Sequence, residues 1–114
     1  MSGAGNILAD LAPDPAAERF EVLLSRPGVR VERIVSCGQA SPPGFWYDQP
    51  QGEWVLLLRG GAGLQFEDEP APRRLEPGDY LWIEPHRRHR VAWTQAGAAT
   101  LWLAIHVEAA APPI

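Results

Sequence analysis

The fold of this chain is decided by residues 53–90, which read EWVLLLRGGAGLQFE at 53–67 and RRLEPGDYLWIEPHRRHR at 73–90. Short apolar runs are separated by glycine and proline, and carboxylate and imidazole side chains lie at the ends of the runs. Runs of this length and alternation are typical of β-strands, and the Gly-Gly at 60–61 predicts a two-residue hairpin turn. The stretch therefore predicts a small β-barrel.

The same pattern continues on both sides of this stretch. Further short strands are predicted at 29–37, 45–48, 89–94 and 100–108. A chain of seven or eight short strands with regular turns is typical of a sandwich or a jelly-roll barrel. The predicted fold class is therefore all-β.

One short helix is predicted before the barrel, at residues 16–25. Phe20, Leu23 and Leu24 fall at helical spacing, Asp14 is placed to cap the first turn, and the Pro-Gly at 27–28 would end the helix. The predicted organisation is one domain, with an N-terminal arm and helix at 1–28, a barrel at 29–108 and a flexible tail at 109–114.

Amino-acid composition limits the classes of binding partner, the chemistry and the cellular location that are expected for this chain. A net charge of −4 offers no general electrostatic attraction to nucleic acid or to an anionic membrane. All ten basic residues are arginine, so Schiff-base chemistry through a lysine is excluded. The single cysteine, Cys37, allows no intramolecular disulfide, and residues 1–13 show no secretory pattern, so a cytoplasmic location is expected.

A carboxylate and an imidazole begin two of the predicted strands. Glu53 shares the inward face of its strand with Val55 and Leu57, and His89 begins a later strand in which Trp93 falls on the same face. Side chains at the mouth-facing ends of barrel strands can meet at one point. Imidazole nitrogen and carboxylate oxygen together suit a divalent first-row metal ion.

These two segments resemble the two motifs of the cupin superfamily. Residues 53–60 match the end of the first motif, a glutamate separated from a glycine by six residues. Residues 77–89 resemble the second motif: Pro-Gly-Asp, a strand, a proline turn and a histidine, with the proline displaced by one position to Pro85. The resemblance covers residues 29–107. It implies a double-stranded β-helix, and a homodimer in which an N-terminal segment or an edge strand crosses to the partner.

The sequence departs from the family pattern in the first motif. The two histidines that precede the glutamate in cupins would fall on Trp46 and Asp48, and no histidine occurs before His86. Only Glu53 and His89 of the usual three-histidine, one-glutamate set remain. The resemblance implies a site for a divalent ion (Fe, Mn, Ni or Zn), in which Asp48, His86 or His106 would supply the remaining ligands. A barrel that binds no metal is an equally plausible alternative.

Each candidate ligand also has an ordinary structural interpretation. Glu53 could pair with an arginine at a strand end, and Asp48 could cap the turn that follows it. His86 could be a solvated loop residue, and His106 a satisfied interior or interface histidine. The sequence leaves these alternatives open.

A ligand wall is predicted from four residues near the mouth of the barrel: Trp46, Tyr47, Trp93 and Arg90. The three aromatic side chains would enclose a small molecule, and the arginine would hold an anionic group. Core packing or dimer packing would use the same aromatic residues.

Three functions are compatible with these patterns. The first is a mononuclear metal cupin that performs an oxygenase, isomerase or lyase step on a small polar molecule. The second is a metal-free barrel that binds a small molecule. The third is a regulatory or structural dimer without a ligand, and the fold alone does not choose among them.

Overall fold

The structure, a computed structural model, describes residues 3–109 and consists of eight β-strands. Within this range there is no helix, and so none that could cross a membrane. The strands in chain order are β1 (Arg19–Arg26), β2 (Val29–Ser36), β3 (Gly52–Arg59), β4 (Ala62–Phe66), β5 (Arg73–Leu75), β6 (Tyr80–Ile83), β7 (His89–Thr94) and β8 (Thr100–Val107).

The strands form two antiparallel sheets. One has five strands in the order β1-β2-β8-β3-β6, and the other has three in the order β5-β4-β7. Alternate side chains of both sheets point between them and form a core that includes Val55, Leu57, Leu64, Phe66, Ile83, Trp102 and Ala104. The all-β, two-sheet prediction is confirmed.

The predicted helix at 16–25 is wrong, because most of it belongs to strand β1. Asp14 does accept a hydrogen bond from the backbone of Ala16 (2.9 Å), but this bond closes a turn and begins no helix. The Pro-Gly at 27–28 is the turn of a β1–β2 hairpin, with Gly28 at φ +83°. A helix of this length is marginal alone, whereas pairing with β2 supplies a ladder of hydrogen bonds.

The Gly-Gly at 60–61 does not form a hairpin either. Strands β3 and β4 belong to different sheets, so these glycines make the corner at which the chain crosses between them. Gly60 has φ +87°, and a Cβ there would overlap Thr100. The turn signal was real, but a hairpin turn and a sheet-to-sheet corner have the same local sequence requirement for glycine.

The structure describes most of the N-terminal arm but only the first residue of the predicted C-terminal tail. The N-terminal arm is held by Arg33, whose guanidinium donates to the carbonyl oxygens of Ile7 (2.9 Å) and Ala9 (2.5 Å). Of the predicted tail at 109–114, only Ala109 lies within the described residues. The arm is therefore anchored to β2 by the Arg33 side chain.

Candidate functional site

One pocket opens between the two sheets, at the end of the barrel where β3 and β7 begin. It has a volume of about 100 Å³, which is room for several waters or a small organic molecule. Its walls are formed by Glu18, Phe20, Glu32, Ile34, Tyr47, Gln49, Glu53, Val55, Leu64, Ile83, His89, Val91, Trp102 and His106. Most of the wall surface is apolar, and the polar groups are carboxylates, imidazoles, one amide and one phenol.

Strand register explains why these polar groups converge. Glu53 on β3 lies directly opposite His106 on β8. Glu32 on β2 lies directly opposite Ala104, which is two residues before His106 on β8 and therefore on the same face of the sheet. Directly opposite residues point to the same face of a sheet, so all three polar side chains face inward. His89 enters the same space from the facing sheet.

The first pair in the pocket, Glu53 and His89, is called here the buried pair. The side chains are 12% and 6% exposed, and His89 Nε2 lies 3.7 Å from Glu53 Oε1, beyond hydrogen-bond distance. His89 Nδ1 lies 2.8 Å from the carbonyl oxygen of Arg87. Because a carbonyl only accepts, Nδ1 carries the proton, and a neutral His89 presents the lone pair of Nε2 to the pocket.

A second pair, Glu32 and His106, lies on the inner face of the five-stranded sheet. His106 Nε2 is 3.7 Å from Glu32 Oε1, and His106 is only 7% exposed. This ring nitrogen is buried and has no hydrogen-bond partner. A buried polar atom without a partner costs free energy, so a water or a ligand atom is expected beside it.

Glu18 is the third carboxylate of the pocket, and a short hydrogen-bond chain holds it there. The indole Nε1 of Trp102 donates to Ser36 Oγ (3.2 Å), and the Ser36 hydroxyl donates to Glu18 Oε2. Ser36 is fully buried. The carboxylate is therefore positioned by core residues, although it lies just before an edge strand.

Tyr47 reports the electrostatic field of the pocket. Its ring stacks on His89 with 5.5 Å between ring centres. Burial raises the pKa of the Tyr47 phenol above its ordinary value, and the negative charges of Glu18, Glu53 and Glu32 raise it further. All three carboxylates thus act on one point in the pocket.

Two of the predicted metal ligands, Asp48 and His86, lie outside this pocket and are called here the surface pair. His86 Nδ1 is 2.7 Å from Asp48 Oδ1, and the side chains are 67% and 49% exposed. His86 has φ +63°, in a loop held by its own backbone hydrogen bond to the carbonyl of Gln49 (2.7 Å). The structure therefore brings together Glu53, His89 and His106, but not Asp48 or His86.

Of the predicted ligand wall, Tyr47 alone lines the pocket. Trp46 lies beside Arg90, whose guanidinium donates to the Ser41 carbonyl (2.8 Å) and stays outside. Trp93 covers Gly63, because the β4–β7 register shifts between Val91 and Trp93. This bulge turns Trp93 away from the face that carries His89 and Val91, which a strict period of two could not predict.

The donor arrangement bears on metal binding. Within residues 3–109, no group of three or more His, Cys, Asp or Glu side chains converges as a metal site would require. The four nearest candidates divide into two pairs, each with its own 3.7 Å contact. As they lie, these residues do not fit the metal centre that the motif resemblance implies, and metal binding stays a prediction.

Sequence reasoning missed three polar residues of the pocket: Glu18, Glu32 and Gln49. Glu32 could have been found, because it shares a period-2 face with Ile34 and Ser36. Glu18 and Gln49 lie outside the strands, and no local pattern marks them.

Comparison with protein-family models and with curated proteins finds no match. Among solved structures, the chain is similar to a protein of Ralstonia eutropha JMP134 named as a candidate mannose-6-phosphate isomerase. The two are 53% identical, over 93% of this chain and 98% of that chain, with a TM-score of 0.90.

More distant structures share the fold alone. One is a cupin superfamily protein of Desulfitobacterium hafniense DCB-2, with 18% identity, coverage of 84% and 82%, and a TM-score of 0.70. Another is an RmlC-like cupin of Shewanella frigidimarina NCIMB 400, with 13% identity, coverage of 81% and 77%, and a TM-score of 0.66.

Proposed function

This chain is a small member of the cupin superfamily, and we propose that it binds a small polar molecule in the pocket between its sheets without requiring a metal ion. The observation that carries the proposal is the buried pair. Glu53 Oε1 lies 3.7 Å from His89 Nε2, and in the neutral tautomer with the proton on Nδ1 both atoms are acceptors that face the pocket. A molecule that donates hydrogen bonds to both would satisfy them.

The pocket has the general character of a small-molecule site. Apolar side chains form most of its wall, and a few polar groups are placed at fixed points by the strands. Orphaned atoms point to an occupant, since His106 Nε2 and Gln49 Oε1 are both buried without a hydrogen-bond partner.

A second candidate function is a proton-transfer reaction on the bound molecule. The lone pair of His89 Nε2 and the Glu53 carboxylate are two bases that face the same space, which is the arrangement general base catalysis requires. The Ralstonia relative is named as a candidate mannose-6-phosphate isomerase, and a sugar isomerisation of this kind moves a proton between two carbon atoms of one molecule. Solvent deuterium incorporated into a bound molecule, and lost in Glu53→Gln, would distinguish turnover from binding.

The test of the proposed function uses the indole N–H resonance of Trp102 in a ¹H–¹⁵N NMR spectrum. Of the five tryptophans, all within residues 3–109, Trp102 alone lines the pocket. A library of small polar molecules is titrated into protein purified without chelators and shown by mass spectrometry to be metal-free. We expect at least one compound to shift the Trp102 resonance, and Glu53→Gln to weaken the binding of that compound about tenfold or more.

The opposite outcome is equally concrete. Compounds that shift Trp102 only after Fe, Mn, Ni or Zn is added would refute the metal-free proposal. So would near-stoichiometric metal in the parent protein that is lost in both Glu53→Ala and His89→Ala. Either result would restore the metal centre predicted from the motifs.

We also propose that a second copy of this chain covers the open side of the pocket along β1. This edge strand exposes apolar side chains, with Val22 57% and Leu23 48% exposed, and Phe20 at the same edge lines the pocket. An apolar edge strand is a pairing surface. Light scattering should give a dimer mass for the parent and for Tyr80→Glu on the opposite edge, and a monomer mass for Leu23→Glu; a monomeric parent contradicts the proposal.

A further inference from the structure

We propose that the occupant of the pocket is a small organic cation, a protonated amine with a short alkyl body. This inference rests on the proposed function and names the chemical class of the molecule that the pocket takes. It follows from the charge of the pocket wall, the orphaned atoms in it and its aromatic lining.

Apart from the two histidines, the ionisable side chains of the pocket wall that carry charge near neutral pH are all carboxylates. Glu18, Glu32 and Glu53 line it, while the described lining includes no arginine and the chain has no lysine. Carboxylates in a half-enclosed apolar cavity are weakly screened, so they attract a cation and repel an anion strongly. Burial raises the pKa of the Tyr47 phenol, and the charges of these three carboxylates raise it further.

The side chains of Arg87 and Arg33 bind groups outside the pocket. Arg87 pairs with Asp68 (3.1 Å) and lies over the Phe66 ring, and neither Arg87 nor Phe66 lines the pocket. Arg33 is bound to the N-terminal arm and to Glu21 (2.7 Å). Arg30 is the one arginine among the described residues that pairs with a pocket carboxylate: its Nε lies 3.9 Å from Glu32 Oε2, and its side chain is 46% exposed, so solvent screens the pair. Glu18 and Glu53 have no arginine within ion-pair distance among those residues.

The orphaned atoms are a second, independent observation. Gln49 Oε1 is a buried acceptor without a donor, and His106 Nε2 is buried without any hydrogen-bond partner on a residue that is 93% buried. Glu53 and Gln49 Oε1 are acceptors, and so is His89 Nε2 in the tautomer with its proton on Nδ1, so the wall presents several acceptors to the pocket. An ammonium group, which has several N–H donors and a positive charge, satisfies this wall better than a hydroxyl group does.

The apolar part of the wall fits an alkyl body. Trp102, Tyr47 and Phe20 offer aromatic rings, and aromatic faces attract an ammonium group electrostatically. The volume of about 100 Å³ restricts the occupant to a short chain. By contrast, a sugar phosphate, the substrate class in the Ralstonia relative's name, would bring its negative charges toward three carboxylates.

The experiment compares butylammonium, n-butanol and butyrate, which match in size and differ in charge, with mannose 6-phosphate as a fourth probe. Each is titrated into the full chain while the Trp102 indole resonance is followed, and Trp102→Phe assigns that resonance. We expect butylammonium to bind at least about tenfold more tightly than n-butanol, and the two anions to leave the resonance unmoved.

Two variants locate the effect. Glu32→Gln should weaken butylammonium binding about tenfold and leave n-butanol binding unchanged. Glu84→Gln removes the same charge at an exposed position outside the pocket and should change neither. Equal losses in both variants would mean that net charge, and not the pocket, attracts the cation, which would overturn the inference.

The remaining outcomes separate the two proposals. If n-butanol or an anion moves the Trp102 resonance as strongly as butylammonium, the pocket is a binding site but its occupant is not a cation. A dispersed NMR spectrum shows that the protein is folded. If no probe then moves the Trp102 resonance, both the inference and the proposed small-molecule site fail.

Discussion

The buried pair and the surface pair contain the same two chemical groups in opposite surroundings. Asp48 and His86 make a 2.7 Å contact at the protein surface, where both side chains are at least about half exposed. Glu53 and His89 stand 3.7 Å apart in the pocket and are nearly removed from water. The shorter contact is therefore the less consequential one, because water already satisfies its groups and screens their charges.

The difference shows which feature marks a site in this molecule. An exposed carboxylate and imidazole in contact contribute about 0–1 kcal/mol to stability and leave nothing unsatisfied. A desolvated carboxylate 3.7 Å from a ring nitrogen is too far away to share a hydrogen bond with it, so both atoms have unmet hydrogen-bonding capacity. Glu53 and His89 differ from the surface pair in their burial and in their unmet hydrogen-bonding capacity, and not in being closer together.

The largest expected effect is on stability. His89→Ala should lower the free energy of unfolding by about 2–3 kcal/mol, because it opens a cavity beside Tyr47 and leaves the Arg87 carbonyl without its donor. His86→Ala, the matched change in the surface pair, should cost less than about 1 kcal/mol. Urea unfolding of both variants measures the contrast, and equal losses would break it.

The next effect is on binding. Glu53→Gln should weaken butylammonium binding about tenfold or more, equivalent to about 1.4 kcal/mol, because it removes a charge that faces the occupant. Asp48→Asn removes an equal charge only a few residues away and should leave the affinity unchanged, since Asp48 does not line the pocket. The Trp102 resonance provides both affinities. A matching loss in Asp48→Asn would erase the distinction between the pairs.

A smaller effect concerns the ionisation of Tyr47. Burial, and then Glu18, Glu53 and Glu32, hold the pKa of Tyr47 above its ordinary value, so Glu18→Gln should lower that pKa. Asp48→Asn should leave it in place, although Asp48 is adjacent in sequence. Ultraviolet titration in a Tyr80→Phe background, where Tyr47 is the single phenol, measures the pKa directly. An unchanged pKa in Glu18→Gln would mean that this carboxylate does not act on the pocket.

The raised pKa also has a consequence for stability, with a definite sign. The folded protein keeps the Tyr47 proton at pH values where the unfolded chain has lost it. Stability from this group is therefore fully present below the ordinary tyrosine pKa of about 10 and falls as pH rises above it. Tyr47→Phe should flatten that fall.

The smallest expected effect is in the surface pair itself. His86→Gly should change the free energy of unfolding by no more than about 0.5 kcal/mol, because the loss of an exposed contact is offset by relief of a side chain at φ +63°. Urea unfolding provides the value. A loss above about 1 kcal/mol would show that the surface pair is structurally important and would weaken the comparison.

The parts of the fold that were predicted from sequence depend on local patterns. Alternation of apolar and polar residues marks strands wherever they lie, and it placed Glu53 on an inward face with Val55 and Leu57. The N-terminal helix failed because residues 19–26 satisfy both helical and strand patterns. The choice was made by pairing with β2, a contact between segments that only the hairpin brings together.

The parts of the site that were missed depend on register. Whether Trp93 faces the pocket is decided by a bulge opposite Gly63, and whether His106 meets Glu53 is decided by how β8 aligns with β3. A shift of one residue in either alignment would reverse the faces. Neither alignment can be obtained from one strand considered alone.

The sequence by itself determined that this chain is all-β and that it carries the cupin motifs. It also placed Glu53 and His89 near the starts of two strands, with both side chains facing the interior of the barrel. Those properties reside in the spacing of residues along single segments. Only the tertiary structure decided that Glu18, Glu32 and His106 join them and that Asp48 and His86 do not. Convergence is a property of pairing between distant strands, and the same pairing removes water from one set of groups and leaves it around the other.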